Sequence, residues 1–391
     1  MQTTPSLALR SASGFLLFVL AICSSVVRAT NAPPTCEVLQ ADLLTLSSKG
    51  GGTYQFVPGH VVECTQRSQL YKGSVSKHGL LIPEDVVLDL NSGRVDLRLT
   101  EQSYGVRLAW RATIMNGEVR VVESIGAGSQ SIWHSAVSVG AANGDGGTAD
   151  VPSYFSEIGN WNMINLRINQ PFAHSGIQVM SEAHHGVIDG VRIASSTQAT
   201  IGIGLDWGDV GNFHSNEKML TAMRTLWEHG YVYTTHPHDI TIQNIAVENL
   251  TRNANDDSAA IRTSATHNIT IRNVMVAEAG SGIVLRAGDV GYEFARTADR
   301  QHAHQGLVVE NFAIYNAHRK GVFLDGYADN FDRASRLYGC EQLQNPAPSR
   351  LQSPQVRSGY IRGHFGAEAG VYMKYVTAAL IEGIDSQEFN H

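Results

Sequence analysis

Two related stretches in the middle of the chain decide the fold. The first is ITIQNIAV (residues 240–247) and the second is ITIRNVMV (residues 269–276). In both, apolar residues alternate with other residues on either side of an asparagine, Asn244 or Asn273. Period-two alternation is typical of β-strands, and asparagine tolerates the left-handed conformation that a sharp bend requires. The repeating unit is therefore a strand, a bend and a second strand.

Copies of this unit return along the chain. They are residues 163–168 and 307–314, a start at Asn116-Gly117, and weaker copies in which we expect Gly190, Gly363 and Gly383 at the asparagine position. A second pattern alternates with it, in which a small residue precedes a short period-two strand. Its copies are residues 176–179, 202–205, 258–261, 282–285, 321–324 and 370–373.

The spacing of the second pattern favours a solenoid. The interval from Ser258 to Gly282 is 24 residues, within the range of repeat proteins that stack one short unit on the next. We predict an all-β protein, a right-handed parallel β-helix with loop insertions and one short inserted helix. A β-sandwich with accidental internal similarity is the alternative.

The composition excludes two classes of protein. Of 391 residues, 38 are glycine, 43% are apolar and 17% are charged. This apolar content is sufficient for a packed core, so a disordered chain is excluded. The chain has 29 basic and 36 acidic residues, whereas a nucleic-acid-binding protein normally has a basic balance.

The N-terminus predicts export. Arg10 precedes an apolar stretch at residues 14–27, and Val27-Arg28-Ala29 is typical of a cleavage site. We therefore expect a signal peptide at residues 1–29 and a secreted or periplasmic protein. The apolar stretch is shorter than the ~20 residues of a membrane span, and no later stretch reaches that length.

The remainder of the chain, residues 30–391, is predicted to be a single β-helix domain with an N-terminal cap at about residues 30–80. In an oxidising compartment we expect Cys36 and Cys64 to form a disulfide that crosslinks this end of the domain. Cys340 is then expected to be a thiol outside any disulfide.

The opening of the repeats resembles a known superfamily. GGGTYQFVPG (residues 50–59) and LIPEDVVLDL (residues 81–90) look like the first rungs of the pectin lyase-like superfamily, and the likeness continues through most of the chain. The resemblance implies a parallel β-helix. The superfamily contains polysaccharide lyases, glycoside hydrolases, uronate epimerases, phage tailspikes and non-catalytic adhesins, so it implies no single activity.

Alternation in the second pattern predicts which side chains face inward. These are Ile177, Val179, Ile203, Leu205, Ile261, Ile283, Leu285, Val322, Leu324, Val371 and Met373. The next outward position in each strand should form one column, with rungs about 4.8 Å apart. This predicted column contains Met180, Asp206, Arg262, Arg286, Asp325 and Lys374.

Two interpretations of this predicted column remain open. It is either a ladder of surface salt bridges, Asp206–Arg262 and Arg286–Asp325, or a groove that holds an anionic sugar. In a groove, Arg262 is the candidate partner of a substrate carboxylate, and Arg286 or Lys374 is the candidate base.

Further residues complete this predicted groove. Asp206 and Asp325 would hold Ca²⁺ or orient the cations, and Phe323 and Tyr372 are candidate stacking surfaces for sugar rings. Ca²⁺ is the only cofactor that the sequence suggests.

Two motifs suggest other reactions. Asp256 and Asp257 resemble the Asp pair of polygalacturonase-type hydrolases, although Ser281 occupies the position of that family's histidine. His236-Pro237-His238-Asp239 is similar to a signature of mannuronan C5-epimerases, in which a histidine acts on the C5 proton. The alternative for His238 is an ordinary turn, because residues 237–239 lead directly into a strand.

Insertions are predicted to form the walls of a cleft. Residues 206–235 contain a predicted helix that begins after Ser215, and His214 beside it is a candidate substrate-binding residue. Asp329, Asn330 and Asp332 lie in a second insertion, as either Ca²⁺ ligands or a solvated loop.

The sequence therefore predicts a polysaccharide lyase that cleaves a uronate-containing polymer by β-elimination. The alternatives are a polygalacturonase-like hydrolase, a uronate C5-epimerase and a non-catalytic glycan-binding protein. In each case the expected partner is an acidic polysaccharide or oligosaccharide, without nucleic acid or a membrane span, and the oligomeric state is not predicted.

Overall fold

Short strands stack in register on the equivalent strands of the next repeat. The computed structural model describes residues 26–28, 32–71, 74–99, 104–124, 135–140, 158–171, 173–180, 183–194, 201–206, 237–250, 258–264, 266–287, 305–326 and 351–389. Within these ranges the strands form a sixteen-stranded sheet, called sheet A, a ten-stranded sheet, called sheet B, and a two-stranded sheet. The architecture is the predicted parallel β-helix.

The strands are numbered in chain order. Sheet A contains β1 (Val26–Arg28), β2 (Gly52–Gln55), β3 (Val61–Thr65), β6 (Val86–Asp89), β7 (Arg94–Leu99), β9 (Thr113–Ser124), β11 (Ile158–Gly159), β12 (Asn162–Asn169), β14 (Ala183–His184), β15 (Val187–Asp189), β16 (Arg192–Ala194), β18 (His238–Glu248), β20 (His267–Val276), β22 (Leu307–Ala317), β25 (Gln355–Gly363) and β28 (Leu380–Gln387).

Sheet B contains β4 (Arg67–Tyr71), β5 (Ser74–Ile82), β8 (Tyr104–Leu108), β10 (Ser135–Val139), β13 (Ser175–Val179), β17 (Ile201–Leu205), β19 (Ala259–Ser264), β21 (Ser281–Arg286), β23 (Lys320–Asp325) and β26 (Ala369–Lys374). The two-stranded sheet pairs β24 (Leu351–Gln352) with β27 (Val376–Thr377). β4 and β5 pair antiparallel, and the other pairs in the described chain are parallel.

The bend inside sheet A is a column of residues with positive φ, called here the bend column. Its members are Asn116, Asn165, Gly190, Asn244, Asn273, Asn311, Ser358 and Gly383, with φ between 50° and 66°. Asparagine and glycine occupy this conformation at the lowest cost. The predicted bend is confirmed, but Gly363 is not part of it, because Gly363 pairs with Ala317 and Ser358 holds the bend position.

Side-chain amides connect successive members of the bend column. Asn165 Nδ2 donates to Asn116 Oδ1 at 3.3 Å, and Asn273 Nδ2 donates to Asn244 Oδ1 at 3.1 Å. Gly190 has no side chain, and Asn244 Nδ2 donates instead to Asp189 Oδ1 at 2.7 Å. The ladder therefore has a gap at Gly190.

Steric contact with the next rung explains why a small residue stands near the start of the sheet B strands. A Cβ atom at Gly282 would collide with the carbonyl oxygen of Gly321 in the next rung and with the Ile314 side chain. Gly105, Gly202 and Gly321 face the same kind of contact with the following rung. The bend into sheet B thus brings the backbones too close for a large side chain.

Helix α1 (Cys36–Ser48) covers the N-terminal end of the coil. Thr35 accepts a hydrogen bond from the Val38 N–H as its N-cap, and the helix buries Leu39 and Leu43 in the main core. The predicted disulfide between Cys36 and Cys64 is confirmed. Among the described residues, no helix has the length and hydropathy that crossing a bilayer requires.

The N-terminal strand β1 pairs in parallel with β2. It lies inside the stretch that the sequence predicts to be a signal peptide.

At the C-terminal end of the coil, Met373 is 51% exposed. Met373 pairs with the buried Leu324 and so has the predicted inward orientation, but it is exposed because β26 is the last strand of sheet B in the described chain.

The bend column gives a test of the fold. Replacing Asn273 with Val should lower the free energy of unfolding by about 2 kcal/mol, because a β-branched residue is strained at positive φ and the bond to Asn244 is lost. Asn273→Gly should lose only the hydrogen bond. Urea titrations that find the two variants equally destabilised would contradict this role for the bend.

A buried histidine near the N-terminal end gives a second test. Burial, with the positive charges of Arg107 and Arg67, lowers the pKa of His78 from 6.5 to about 3. The unfolded chain therefore binds one more proton than the folded chain between pH 6.5 and pH 3. The free energy of unfolding is unaffected by this group above pH 6.5 and falls as the pH is lowered toward 3, by about 5 kcal/mol in total.

His78→Gln should flatten this loss, measured as the change in urea-unfolding free energy between pH 7 and pH 4. His364→Gln, at an exposed site, is the matched control and should keep the slope of the unaltered protein. An unchanged slope in His78→Gln would contradict the prediction.

Candidate functional site

Sheet B is the part of the coil from which long segments leave at one end of the strands. Residues 141–157, 207–236, 288–304 and 327–350 follow β10, β17, β21 and β23 respectively and lie outside the described residues. Segments that extend from one edge of a rigid scaffold commonly carry binding or catalytic residues. The side chains at the ends of these strands are therefore the candidate site.

Several predicted site features lie outside the described residues. They are Asp256 and Asp257, His214 with the predicted helix after Ser215, the loop residues Asp329, Asn330 and Asp332, and Cys340. The hydrolase-type pair and the predicted cleft walls therefore stay predictions.

The outward residues at the strand ends form one column, called here the distal column. Its members are Met180, Asp206, Ser264, Arg286, Asp325 and Lys374. Five of these six were predicted, and Met180 is buried. Arg262 is not a member, because Arg262 pairs with Gly204 and with Val284, two residues before the distal column.

Thr263 explains the misplacement of Arg262. Leu205 pairs with Thr263, so this threonine holds an inward position that is apolar in the other strands. Thr263 is fully buried. Because the outward position was predicted from the last apolar residue, Ile261, the prediction stopped two residues early.

Arg262 belongs instead to a neighbouring outward column, called here the central column. It contains Arg107, Ser138, Gln178, Gly204, Arg262, Val284, Phe323 and Tyr372. Most of these side chains are buried, and Tyr372 is 42% exposed. The outer face of sheet B is therefore accessible mainly at its last rungs.

Two ion pairs link the charged residues of this face. Arg262 Nη2 lies 3.3 Å from Asp206 Oδ2, and Arg286 Nε lies 3.2 Å from Asp325 Oδ2. These are the two pairs of the predicted salt-bridge ladder. They do not lie on the surface, since the side chains of Arg262 and Asp325 are only 4% and 3% exposed.

Burial of these pairs limits what each arginine can do. A buried carboxylate beside a guanidinium strongly favours the charged form of both groups. Arg286 is thus a fixed cation and a poor proton acceptor, which leaves Lys374 as the candidate base of the distal column. Arg262 is too buried to meet a ligand on this face directly.

A third cluster was missed by the sequence analysis. Lys320 Nζ lies 4.2 Å from the centre of the Phe323 ring, 4.9 Å from that of Tyr372, and 3.2 Å from Glu368 Oε2. Phe323 and Tyr372 contact each other edge to face at 5.4 Å. Phe323 is buried in this cluster, so Tyr372 is the accessible aromatic ring.

Lys320 and Glu368 were missed because only residues after the small residue Gly321 were considered. Lys320 stands immediately before it. Partial burial would raise the pKa of Glu368, but hydrogen bonds from Arg319 and Lys320 outweigh that effect and lower it. Glu368 is therefore charged at neutral pH and holds Lys320 against the aromatic pair.

His238 lies away from this face. It is buried in sheet A, where its ring stacks between His184 at 5.1 Å and His267 at 4.8 Å. Asp239 and Asn268 follow in register with positive φ, which is the ordinary turn that was the alternative for this motif. This placement corrects the expectation that His238 contacts a ligand.

The two predicted metal ligands do not come together. Asp206 and Asp325 lie three rungs apart in the distal column, or about 14 Å at the usual strand spacing. They cannot share one Ca²⁺ ion, and each instead orients an arginine. In the described part of the chain, no group of three or more His, Cys, Asp or Glu side chains is arranged to hold a metal ion.

The fold and this face define a parallel β-helix protein with charged and aromatic side chains at one end of sheet B. No family profile matches the sequence, and no curated protein sequence matches it. The resemblance to the pectin lyase-like superfamily therefore has no support from family comparison.

Solved structures with a similar course of the chain include phage tailspike proteins. A mutant tailspike of E. coli bacteriophage HK620 in complex with a pentasaccharide has a TM-score of 0.48 and 13% identity, and covers 90% of this chain and 62% of its own. An HK620 mutant with a hexasaccharide has a TM-score of 0.45 and 12% identity, with 90% and 52% covered. The Dettilon tailspike has a TM-score of 0.41 and 10% identity, with 92% and 68% covered.

The chain thus spans about three fifths of the length of the first of these tailspike chains. Structural similarity at these TM-scores and identities does not indicate a shared function.

The buried pair gives a test of this face. Asp206→Asn should lower the free energy of unfolding by about 3 kcal/mol, because the charge of Arg262 loses its partner inside the protein. Adding Arg262→Met should recover most of that loss. Glu388→Gln, which breaks the exposed pair with Arg362, is the control and should cost less than about 1 kcal/mol. Additive effects of Asp206→Asn and Arg262→Met would contradict the coupling.

Proposed function

We propose that the protein binds an acidic polysaccharide along the last rungs of sheet B and cleaves it by β-elimination. One observation carries the proposal: Arg286, Asp325 and Lys374 follow one another in register, next to the exposed ring of Tyr372. Two cations around one buried carboxylate leave a local positive charge in a chain whose net charge is −7. Such a site attracts a polyanion that the rest of the surface repels.

Each residue of the site has a separate role in binding. Tyr372 offers an apolar ring on which a sugar ring stacks. Asp325 fixes the guanidinium of Arg286, which neutralises the carboxylate of a uronate residue. Glu368 and Lys320 support Tyr372 from behind, since Lys320 contacts both aromatic rings.

β-Elimination follows from this arrangement. With the carboxylate neutralised by Arg286, the C5 proton of the uronate becomes more acidic, and the amine of Lys374 is the proposed group that removes it. The electron pair of the broken C5–H bond forms the C4–C5 double bond, and the C4–O bond breaks. The leaving oxygen takes up a proton, and the product carries an unsaturated uronate at its new end.

Lys374→Met removes the proposed base while keeping the length of the side chain. We expect kcat to fall by about 10³-fold, measured by the absorbance of unsaturated uronate at about 235 nm on pectate, alginate and glucuronan. Lys77→Met, at an exposed lysine near the N-terminal end, is the matched control and should retain full activity. Tyr372→Ala should mainly raise KM, because it removes stacking without touching the base.

Full activity in Lys374→Met would contradict the role of this lysine. No absorbance change on any polyuronate from the unaltered protein would contradict the lyase proposal itself.

Non-catalytic glycan binding is the second candidate. It is favoured by the fact that Arg286 and Lys320 are each paired with a carboxylate, which holds these cations for recognition rather than for proton transfer. It predicts saturable binding of a polyuronate without any product, and weaker binding in Tyr372→Ala and Lys374→Met alike. Reducing ends that rise without unsaturated product would instead support the hydrolase alternative, and altered uronate configuration without chain cleavage the epimerase.

Secretion belongs to the same proposal. The Cys36–Cys64 disulfide supports an oxidising compartment, because such bonds persist outside the cytosol. Ca²⁺ dependence stays a prediction, and it is tested by repeating the activity assay after chelation.

A further inference from the structure

The two ends of the coil are built differently. At the N-terminal end, helix α1 covers the core. In the part of the chain that the structure describes, α1 is the only helix, and the C-terminal end has no such cover there. Within the same residues, β28 is the last strand of sheet A and β26 is the last strand of sheet B. The last rung therefore leaves one edge of each sheet open.

The open end also exposes side chains that belong to the core. Met373 pairs with the buried Leu324, and Ile381 pairs with the buried Val356. Residues at these inward positions are covered by the following rung elsewhere in the coil. In the last rung Met373 is 51% exposed, and Val371 and Ile381 are only half-buried. The core of the coil is thus open to solvent at this end.

Other large apolar side chains add to this surface. Phe365, in the turn before β26, is 95% exposed, while Tyr375 and Leu380 are 44% and 39% exposed. With Met373, their exposed parts amount to on the order of 400 Å². A protein interface of standard size takes about 800 Å² from each partner, and somewhat more than half of that area is apolar. The last rung therefore offers the apolar area that one such interface needs.

Both features require a cover of a particular kind. Repeat proteins that stay monomeric end in a repeat with a polar outer face, and an open strand edge pairs readily with a further strand. A partner that covers this end has to supply strand edges and an apolar surface together. The last rung of a second copy supplies both.

Symmetry favours contact between like ends. A two-fold axis places the open edges of one copy against those of the other, and the assembly closes after two copies. Contact between unlike ends would place the last rung against helix α1 and would continue into a filament. Only the contact of like ends joins strand edge to strand edge.

We propose that the last rung is a dimer interface, in which a second copy of this chain covers the end of the core with its own last rung. The interface consists of the open edges of β26 and β28 with Met373, Tyr375 and Leu380, and Phe365 lies at its rim. The inference does not rest on the lyase proposal, because Met373 faces the core, whereas Tyr372 and Lys374 face outward from sheet B.

Two methionines provide a matched pair of variants. Met373→Glu places a charge in the proposed interface, and Met275→Glu places the same charge on the outer face of sheet A. The two side chains are equally accessible, at 51% and 46%, so neither change buries a charge in the single chain. Leu380→Glu is a second variant within the interface, and Val38→Glu, at a residue of α1 that is 50% exposed, alters the other end of the coil.

Sedimentation velocity over a range of protein concentrations measures the association. We expect the unaltered protein to form a dimer with a Kd of about 1 μM or below. Met373→Glu and Leu380→Glu should each raise that Kd about 100-fold or more, because a charge enters an apolar contact. Met275→Glu, Val38→Glu and Lys374→Met should leave the Kd unchanged. Melting temperatures of the variants, measured on the monomer, verify that each one folds.

A protein that is monomeric well above this concentration would overturn the proposal, as would a folded Met373→Glu that still forms the dimer. Dissociation by Met275→Glu to the same extent would place the contact elsewhere on the coil. Assemblies that grow without limit as the concentration rises, and that Val38→Glu abolishes, would show contact between unlike ends. Either of these results would also overturn the proposal.

Discussion

The left-handed bend within sheet A is the constraint on which the rest of the structure depends. The bend column places one residue with positive φ at the bend of each sheet A rung that it joins, so that the strands on either side face the same interior. Asparagine at Asn116, Asn165, Asn244 and Asn273 satisfies this conformation and connects rungs through its amide. The bends stack in register from rung to rung, and the outward residues of sheet B form straight columns.

Straight columns bring charged residues of distant sequence positions into contact. Arg286 and Asp325 are 39 residues apart in the chain but occupy adjacent rungs. At this spacing the two charges are close enough to pair, and their burial makes the pairing necessary. The face is thus organised in pairs, with Tyr372 and Lys374 at its accessible end. In this account Asp325 positions Arg286, and Arg286, Tyr372 and Lys374 contact the ligand.

Much of the fold was predictable because the repeat uses residue types with a strong local preference. Asn244 and Asn273 mark their bends plainly, whereas Ser358 makes the same bend with a residue that has no such preference, so Gly363 was assigned in its place. Thr263 hid the register of its strand, since a polar residue fills an inward position there. A single sequence does not reveal that Ser358 makes the bend or that Thr263 faces inward, because the neighbouring rungs determine both positions.

Site residues were predictable where alternation alone decides them, and the rest depends on contacts across rungs. Asp325 and Lys374 follow from the strand pattern. The ring contacts of Lys320 do not, since they join residues from different strands and one residue before the repeat's small position. The burial of His238 likewise depends on the stacking of His184 and His267 around it.

The central claim is that an acidic polysaccharide lies on the last rungs of sheet B. A crystal structure of the Lys374→Met protein with a bound uronate oligosaccharide tests it most directly. The account predicts a sugar ring stacked on Tyr372 and a uronate carboxylate within hydrogen-bond distance of Arg286. Oligosaccharide density that is absent from this face and present only elsewhere on the coil would contradict the account.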